Sequence, residues 1–177
     1  MVRADARENR ARILAAARRA LAEDGDTSMN QIAQLAGVGP GTLYRNYPSR
    51  EALVLAVYQD AVEELVESVP GLLATLPPLE ALRSWTTALV SAMRKKHGLG
   101  AALSPGAHQS VAEQSYGPVI VAIAQLFDAG KRDGTIRADA EPADFLQLTG
   151  ALWGATTGAE ERMLGLILDG LSAHPRR

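Results

Sequence analysis

Apolar residues recur every three or four positions along most of the chain, which is the spacing of one face of an α-helix. Near the N-terminus this pattern runs through Ile13, Leu14, Ala17, Ala20 and Leu21. The alternation of apolar and polar residues that marks a half-buried strand is hard to find, and alanine and leucine are abundant. The pattern therefore predicts an all-α fold.

Capping residues define the first two predicted helices. The first opens at Asp5, with Glu8 in the spacing of a capping box, and ends at the turn EDGD, residues 23–26. The second opens at Ser28, because Gln31 lies three residues later in the same kind of pattern. The two helices are therefore predicted to meet at a tight turn.

Glycine and proline separate the second helix from a third, in the stretch GVGPG at residues 37–41. Gly37 ends the second helix, and Pro40 suits the first turn of the third, where its missing N–H costs little. Leu43 and Tyr47, four residues apart, give the third helix one inward stripe. Two short helices across a glycine-containing turn, braced by a longer first helix, are typical of a helix-turn-helix.

Further proline and glycine residues divide the remainder of the chain. A fourth helix is predicted from Arg50, capped by Ser49, to about Val69, and PGLLATLPP at residues 70–78 predicts a joint. Later helices are expected at residues 79–97, 110–130 (kinked or divided at Gly117-Pro118), 142–154 and 157–172. We predict a DNA-binding domain over residues 1–55, with its reading motif at about 28–47, and a helical domain over residues 56–177.

Charge is distributed unevenly between these two parts. Residues 1–50 hold eight arginines against five acids, whereas residues 51–177 hold ten basic residues against fifteen acids. A modestly basic N-terminal part followed by an acidic C-terminal part is typical of a DNA-binding domain joined to a sensing or assembly domain. Chance clustering of surface charge is the alternative.

Composition narrows the class of protein further. Cysteine is absent, which excludes disulfides and thiolate metal sites. No apolar run approaches the roughly 18 residues of a membrane span, and the charged N-terminus lacks a secretory signal. His97, His108 and Glu113 are spaced too far apart for a convincing metal site. We therefore expect a cytoplasmic protein with no membrane partner, metal or cofactor.

The third helix carries the residue types that DNA recognition requires. Small residues at its N-terminus let the backbone approach a duplex, and its outward face offers hydrogen-bond donors and an aromatic ring. Ser28 and Arg50, at the starts of the second and fourth helices, are placed to bind phosphates on either side. The predicted DNA-binding residues are Thr27, Ser28, Gly39, Pro40, Gly41, Thr42, Tyr44, Arg45, Asn46 and Arg50.

The stretch TSMNQIAQLAGVGPGTLYRNYPSREALV, residues 27–54, resembles the N-terminal domain of the tetracycline-repressor (TetR) family of bacterial transcriptional regulators. The resemblance extends over about residues 8–55. It implies that Thr42, Tyr44 and Arg50 contact DNA.

Two positions depart from the family's pattern, and both leave the operator sequence open. Gly39 stands where serine is common, and Asn46 where histidine is common. The resemblance also implies that the residues after about 72 form a helical effector-binding and dimerisation domain.

Large apolar residues in this C-terminal part are candidates for two sites. An effector pocket among the middle helices is predicted to involve Trp85, Met93, His97, Phe127 and Trp153. The last two helices interleave apolar and small residues, which permits close helix packing in a four-helix dimer interface. The predicted interface residues are Phe145, Leu148, Leu152, Met163, Leu164, Ile167, Leu168 and Leu171. The alternative for both sets is the subunit's own core.

These features together predict a ligand-responsive repressor. A homodimer would place residues 39–47 of each subunit in successive major grooves of a palindromic double-stranded operator. An unidentified small-molecule effector would favour a DNA-released state. The alternatives are a sequence-tolerant architectural DNA-binding protein and a helical enzyme, although no catalytic constellation stands out.

Overall fold

A computed structural model describes residues 2–98, 105–156 and 158–173, with side chains at residues 8–94, 113–156 and 158–173. Regular structure in these ranges is helical, apart from one isolated antiparallel bridge between Ile136 and Ser172. The all-α prediction is therefore confirmed. The helices are α1 (Val2–Glu23), α2 (Met29–Leu35), α3 (Pro40–Asn46), α4 (Arg50–Glu67), α5 (Val69–Thr75), α6 (Pro78–Gly98), α7 (Pro105–Asp133), α8 (Pro142–Thr149), a 3-10 turn (Gly150–Leu152) and α9 (Ala159–Leu171).

Some predicted boundaries were wrong, and proline is involved in two of the differences. Residues 69–75 form helix α5 rather than an irregular joint, because Pro70 lies in the first turn, where no amide donor is needed. Helix α7 continues through Pro118 undivided. Helix α1 begins at Val2, before the expected cap at Asp5, and α8 ends at Thr149.

The described helices contribute to two compact units, which comprise residues 1–61 with 95–113, and residues 62–94 with 114–177. The core of the first unit is formed where α1, α2, α3 and α4 meet. Ile13, Ile32, Leu43 and Leu53 are fully buried there. Burial of each such side chain contributes about 1.5–3 kcal/mol.

An ion pair ties α1 to α4 within the first unit. A terminal guanidinium nitrogen of Arg18 lies 2.5 Å from a carboxylate oxygen of Asp60. Both side chains are about one-third exposed, so solvent screens the pair and its contribution is modest, of order 0–1 kcal/mol. The tie orients α4 without dominating the stability of the unit.

Aromatic side chains form the centre of the second unit. The indole Nε1 of Trp85 donates a 2.9 Å hydrogen bond to the carbonyl of Leu65, which satisfies its one buried donor. Phe127 meets Phe145 edge-to-face, with 5.5 Å between ring centroids. Gly130 lies against Ile136, where a Cβ on the glycine would come within 2.5 Å of an isoleucine carbon.

Among the residues that the structure describes, none of the helices has the length and apolarity needed to cross a membrane.

Candidate nucleic-acid interface

The N-terminus of α2 is closed by the predicted capping box. The Ser28 hydroxyl accepts from the Gln31 amide at 3.3 Å, and the Gln31 side chain accepts from the Ser28 amide at 2.9 Å. The preceding Thr27 is half-buried, and its hydroxyl donates to the carbonyl of Asp24 at 2.9 Å. Ser28 is therefore exposed at the helix start, whereas the Thr27 hydroxyl holds the turn behind it.

The turn between α2 and α3 depends on glycine. Gly37 adopts φ +65°, a left-handed conformation that side chains disfavour, and it follows the last turn of α2. Gly39 is the N-cap of α3 in extended conformation, and Pro40 occupies the first turn as predicted. A Cβ at Gly39 or Gly41 would meet nothing within 4 Å, so the start of α3 is open to an approaching molecule.

Helix α3 has one buried and one exposed face. Leu43 is fully buried and Tyr47 is 4% exposed, so these two residues fix the helix to the core. Tyr44 is 45% exposed although its ring is large and apolar. Arg45 and Asn46 are exposed beside it. The predicted reading side chains therefore face outward from a helix anchored on its other side.

Side chains on the exposed face of α3 bond back to their own helix. Arg45 Nε donates to the carbonyl of Gly41 at 3.0 Å, and a terminal nitrogen lies 3.4 Å from the half-buried Thr42 hydroxyl. Asn46 Nδ2 donates to the carbonyl of Thr42 at 2.8 Å. A guanidinium has five donors and an amide has two, so both side chains retain capacity for an external acceptor.

The contacts of Arg50 were not predicted from the sequence. It is half-buried, and its two terminal nitrogens donate to the backbone carbonyls of Thr27 and Gly25. The start of α4 itself is capped by Ser49, whose hydroxyl accepts from the Ala52 amide at 3.1 Å. Arg50 is therefore bonded to the turn ahead of α2 rather than extended toward solvent.

Tyr47 places a hydroxyl inside the first unit. Its phenolic oxygen is buried and finds no hydrogen-bond partner among the atoms that the structure describes. Burial raises the pKa of this phenol above its ordinary value; the charge of Arg10 lowers it and that of Asp60 raises it further. The anionic form is therefore disfavoured in the folded protein.

Sequence comparison agrees with this geometry. The family model for bacterial regulatory proteins of the tetR family matches residues 13–57. The model for the C-terminal domain of SbtR-like transcriptional regulators matches residues 77–173, more than half of the chain. The chain belongs to the TetR family. Its members are transcriptional regulators, which supports the predicted regulator over the helical enzyme.

Two solved TetR structures resemble the protein over nearly its whole length. One, a transcriptional regulator from Streptomyces coelicolor, is 40% identical with a TM-score of 0.80, over 94% of this chain and 99% of that one. The other, from Mycobacterium vanbaalenii, is 34% identical with a TM-score of 0.75, over 97% and 99%. The TetR likeness therefore includes the helical C-terminal part.

A curated relative matches about a third of the chain. An HTH-type transcriptional regulator of Staphylococcus aureus (strain USA300) is 43% identical over 60 residues, 33% of this chain. The match spans 32% of that relative's length, about a third.

The predicted effector-pocket residues have mixed surroundings. Trp85 and Phe127 are fully buried and engaged in packing, Met93 is 7% exposed, and Trp153 is half-buried. The side chain of His97 lies outside the described residues, as does that of His108. No group of three or more metal-ligating side chains occurs among the described residues.

Much of the predicted dimer surface lies inside the subunit. The buried members are Phe145, Leu152, Leu164, Leu168 and Leu171, so the apolar pattern there reflects the subunit's own core. Leu148 is 55% exposed, and Met163 and Ile167 are half-buried. Leu166, which the sequence analysis missed, is the most exposed of the large apolar residues in the described part of the chain, at 72%.

Proposed function

We propose that this TetR-family protein is a ligand-responsive repressor that binds a palindromic double-stranded operator as a homodimer in the cytoplasm. The observation that carries the proposal is that α3 has one buried face and one exposed face. Leu43 and Tyr47 hold the helix from inside, while Tyr44, Arg45 and Asn46 project outward. A firmly held helix with donors and an aromatic ring on its free face suits a major groove.

The DNA contacts in this proposal divide by chemistry. Ser28 lies at the N-terminus of α2 and Gly39 to Gly41 at that of α3, where backbone N–H groups and the helix dipole favour phosphate. Thr42, Tyr44, Arg45 and Asn46 reach base edges or adjacent phosphates. Thr27 contributes through the turn that its hydroxyl stabilises. The domain boundary near residue 55 belongs to the same proposal.

Dimerisation is proposed through α8 and α9. An open groove of about 400 Å³ runs between these helices and the turn before them, lined partly by Phe145, Leu148, Leu166 and Ile167. Exposed leucines at a groove are candidates for burial against a second copy. The two DNA-binding domains of a dimer can bind two half-sites about one helical turn apart, which a single short helix cannot. Effector binding in the C-terminal domain, near Trp85, Met93, Phe127 and Trp153, completes the proposal.

The first test is titration of the purified protein onto the DNA that flanks its own gene, over a range of salt. Tyr44→Ala is compared with Tyr116→Ala, because Tyr116 is 53% exposed in the other compact unit and provides a matched loss of a surface tyrosine. We expect Tyr44→Ala to lose about tenfold or more in affinity, and Tyr116→Ala to match the wild type. Equal losses in both variants would contradict the assignment of α3.

The architectural alternative has its own measurement. A repressor should prefer its operator over random duplex by about 10³-fold or more at matched salt, whereas an architectural protein should show little preference. If the flanking DNA is not bound, selection from a random-sequence pool identifies the target. A wild-type protein that selects no sequence would overturn the repressor proposal.

A further inference from the structure

Arg50 joins two elements that are far apart in sequence. Its acceptors, the carbonyls of Gly25 and Thr27, lie 25 and 23 residues earlier. The intervening segment contains all of α2 and α3. The side chain therefore closes the base of the helix-turn-helix, at the point where α4 begins.

The two acceptors lie immediately ahead of the α2 cap. Thr27 precedes Ser28, the N-cap residue. The same turn is ordered by its own bonds, from the Thr27 amide to the Asp24 carbonyl at 3.1 Å and from the Asp26 amide to the Asp24 carboxylate at 3.0 Å. Arg50 is the first residue of α4, so its two hydrogen bonds hold this ordered turn, and with it the exposed N-terminus of α2, at the start of α4.

From these contacts we infer that Arg50 is a positioning residue for operator binding, acting through the Gly25–Thr27 turn rather than as a phosphate ligand. This inference deepens the proposed function and rests on it. The planar guanidinium is suited to two acceptors at once, since its donors project from one rigid fork. A lysine ammonium carries the same charge but no such fork.

The two roles predict different responses to substitution. A phosphate contact depends on charge, so Arg50→Lys should retain it and Arg50→Gln should lose it. Loss of one phosphate contact per subunit, hence two in the proposed dimer, also makes the slope of log affinity against log salt shallower by about 1.8, at about 0.9 for each contact. A positioning role requires the two-carbonyl geometry, so both substitutions should weaken binding and neither should change the salt slope by that amount.

The experiment compares wild type, Arg50→Lys and Arg50→Gln on the duplex that the wild-type protein selects from a random-sequence pool. Arg19→Lys is the control, since Arg19 is an exposed arginine of α1. Amide hydrogen exchange of residues 25–31 is measured in parallel without DNA, and circular dichroism checks that each variant is folded. Because exchange needs no DNA, the contact is tested even if the proposed repressor function fails.

We expect both Arg50 variants to lose about tenfold in affinity, the change that accompanies loss of a charged hydrogen bond. Exchange at residues 25–31 should become about tenfold faster in both, and neither quantity should change in Arg19→Lys. Wild-type affinity in Arg50→Lys with a reduced salt slope in Arg50→Gln would overturn the inference in favour of a phosphate contact. Unchanged exchange in both Arg50 variants would overturn it irrespective of their affinities.

Discussion

Arg94 in α6 and Glu160 in α9 form an ion pair with 2.5 Å between nitrogen and oxygen. The other terminal nitrogen of Arg94 donates to the carbonyls of Leu152 at 3.2 Å and Ala155 at 3.0 Å. One side chain thus holds the end of the 3-10 turn and the first turn of α9. Glu160 also lies in the first turn of its helix, where negative charge is favourable.

Arg94→Ala should lower the free energy of unfolding by about 2 kcal/mol. The substitution leaves a carboxylate and three carbonyls, including that of Trp153, without a charged donor, and partial exposure of Arg94 moderates the loss. Chemical denaturation measures the change. Glu160→Gln should lose about 1 kcal/mol and Glu161→Gln, a neighbouring exposed acid, less than about 0.5 kcal/mol. Equal effects of the two glutamate substitutions would show that the Arg94 pair contributes nothing specific.

Adjacent residues of α3 should separate stability from recognition. Leu43→Ala removes a fully buried side chain and should cost about 2–5 kcal/mol of unfolding free energy. Tyr44→Ala should change that free energy by less than about 0.5 kcal/mol while weakening operator binding. Urea denaturation and DNA titration of the same preparations provide both numbers. A Tyr44→Ala variant that is as unstable as Leu43→Ala would place this ring in the core.

Gly37 and Gly41 should respond oppositely to alanine. At Gly37, φ is +65°, so a Cβ introduces strain of about 1–2 kcal/mol and lowers the melting temperature. Gly41 lies within α3 with open space around it, so alanine should add up to about 1 kcal/mol through helix propensity. Thermal unfolding tests both changes.

Operator binding by Gly41→Ala then tests the backbone approach to DNA. A more stable protein with weaker binding would show that the open space at this position is occupied in the complex. Undiminished binding would contradict a close approach at Gly41.

Tyr47 should make the stability of the first unit sensitive to alkaline pH. The pKa of this phenol is raised in the folded state, so its ionisation costs the folded protein no stability below about pH 10, the unfolded value. The free energy of unfolding then falls as pH rises from there through the folded pKa. Tyr47→Phe should reduce this loss, seen as a smaller fall in melting temperature between pH 9 and 11. Near neutral pH it should be neutral or stabilising by up to about 1 kcal/mol, because it removes a buried hydroxyl without a hydrogen-bond partner among the described atoms. A large destabilisation at neutral pH would reveal a partner for that hydroxyl.

Local signals account for the parts of the fold that the sequence predicted well. The Ser28–Gln31 cap, the left-handed Gly37 and the early Pro40 each act within a few residues, so their patterns are visible in the chain. Proline was also the source of an error, since Pro70 begins a helix that we expected to be a joint. A proline is disfavoured in the interior of a helix but not in its first turn, and even the interior Pro118 does not end α7.

Long-range contacts could not be predicted in this way. Arg50 meets carbonyls 23 and 25 residues away, and Arg94 bonds groups 58 or more residues away; no local spacing encodes either contact. Apolar periodicity likewise marks a buried face without indicating what buries it. This is why Phe145 was assigned to a partner subunit although it packs against Phe127 of its own chain.

The two faces of α3 also bear on how such a regulator diverges. Packing constrains Leu43 and Tyr47. Tyr44, Arg45 and Asn46 lie outside the core, and the side-chain hydrogen bonds described for Arg45 and Asn46 are to atoms of α3 itself. Mutations at the exposed positions can therefore accumulate without unfolding the domain. After gene duplication, a copy of this protein could acquire a new target site through a few substitutions on one helix while inheriting the rest of the scaffold intact.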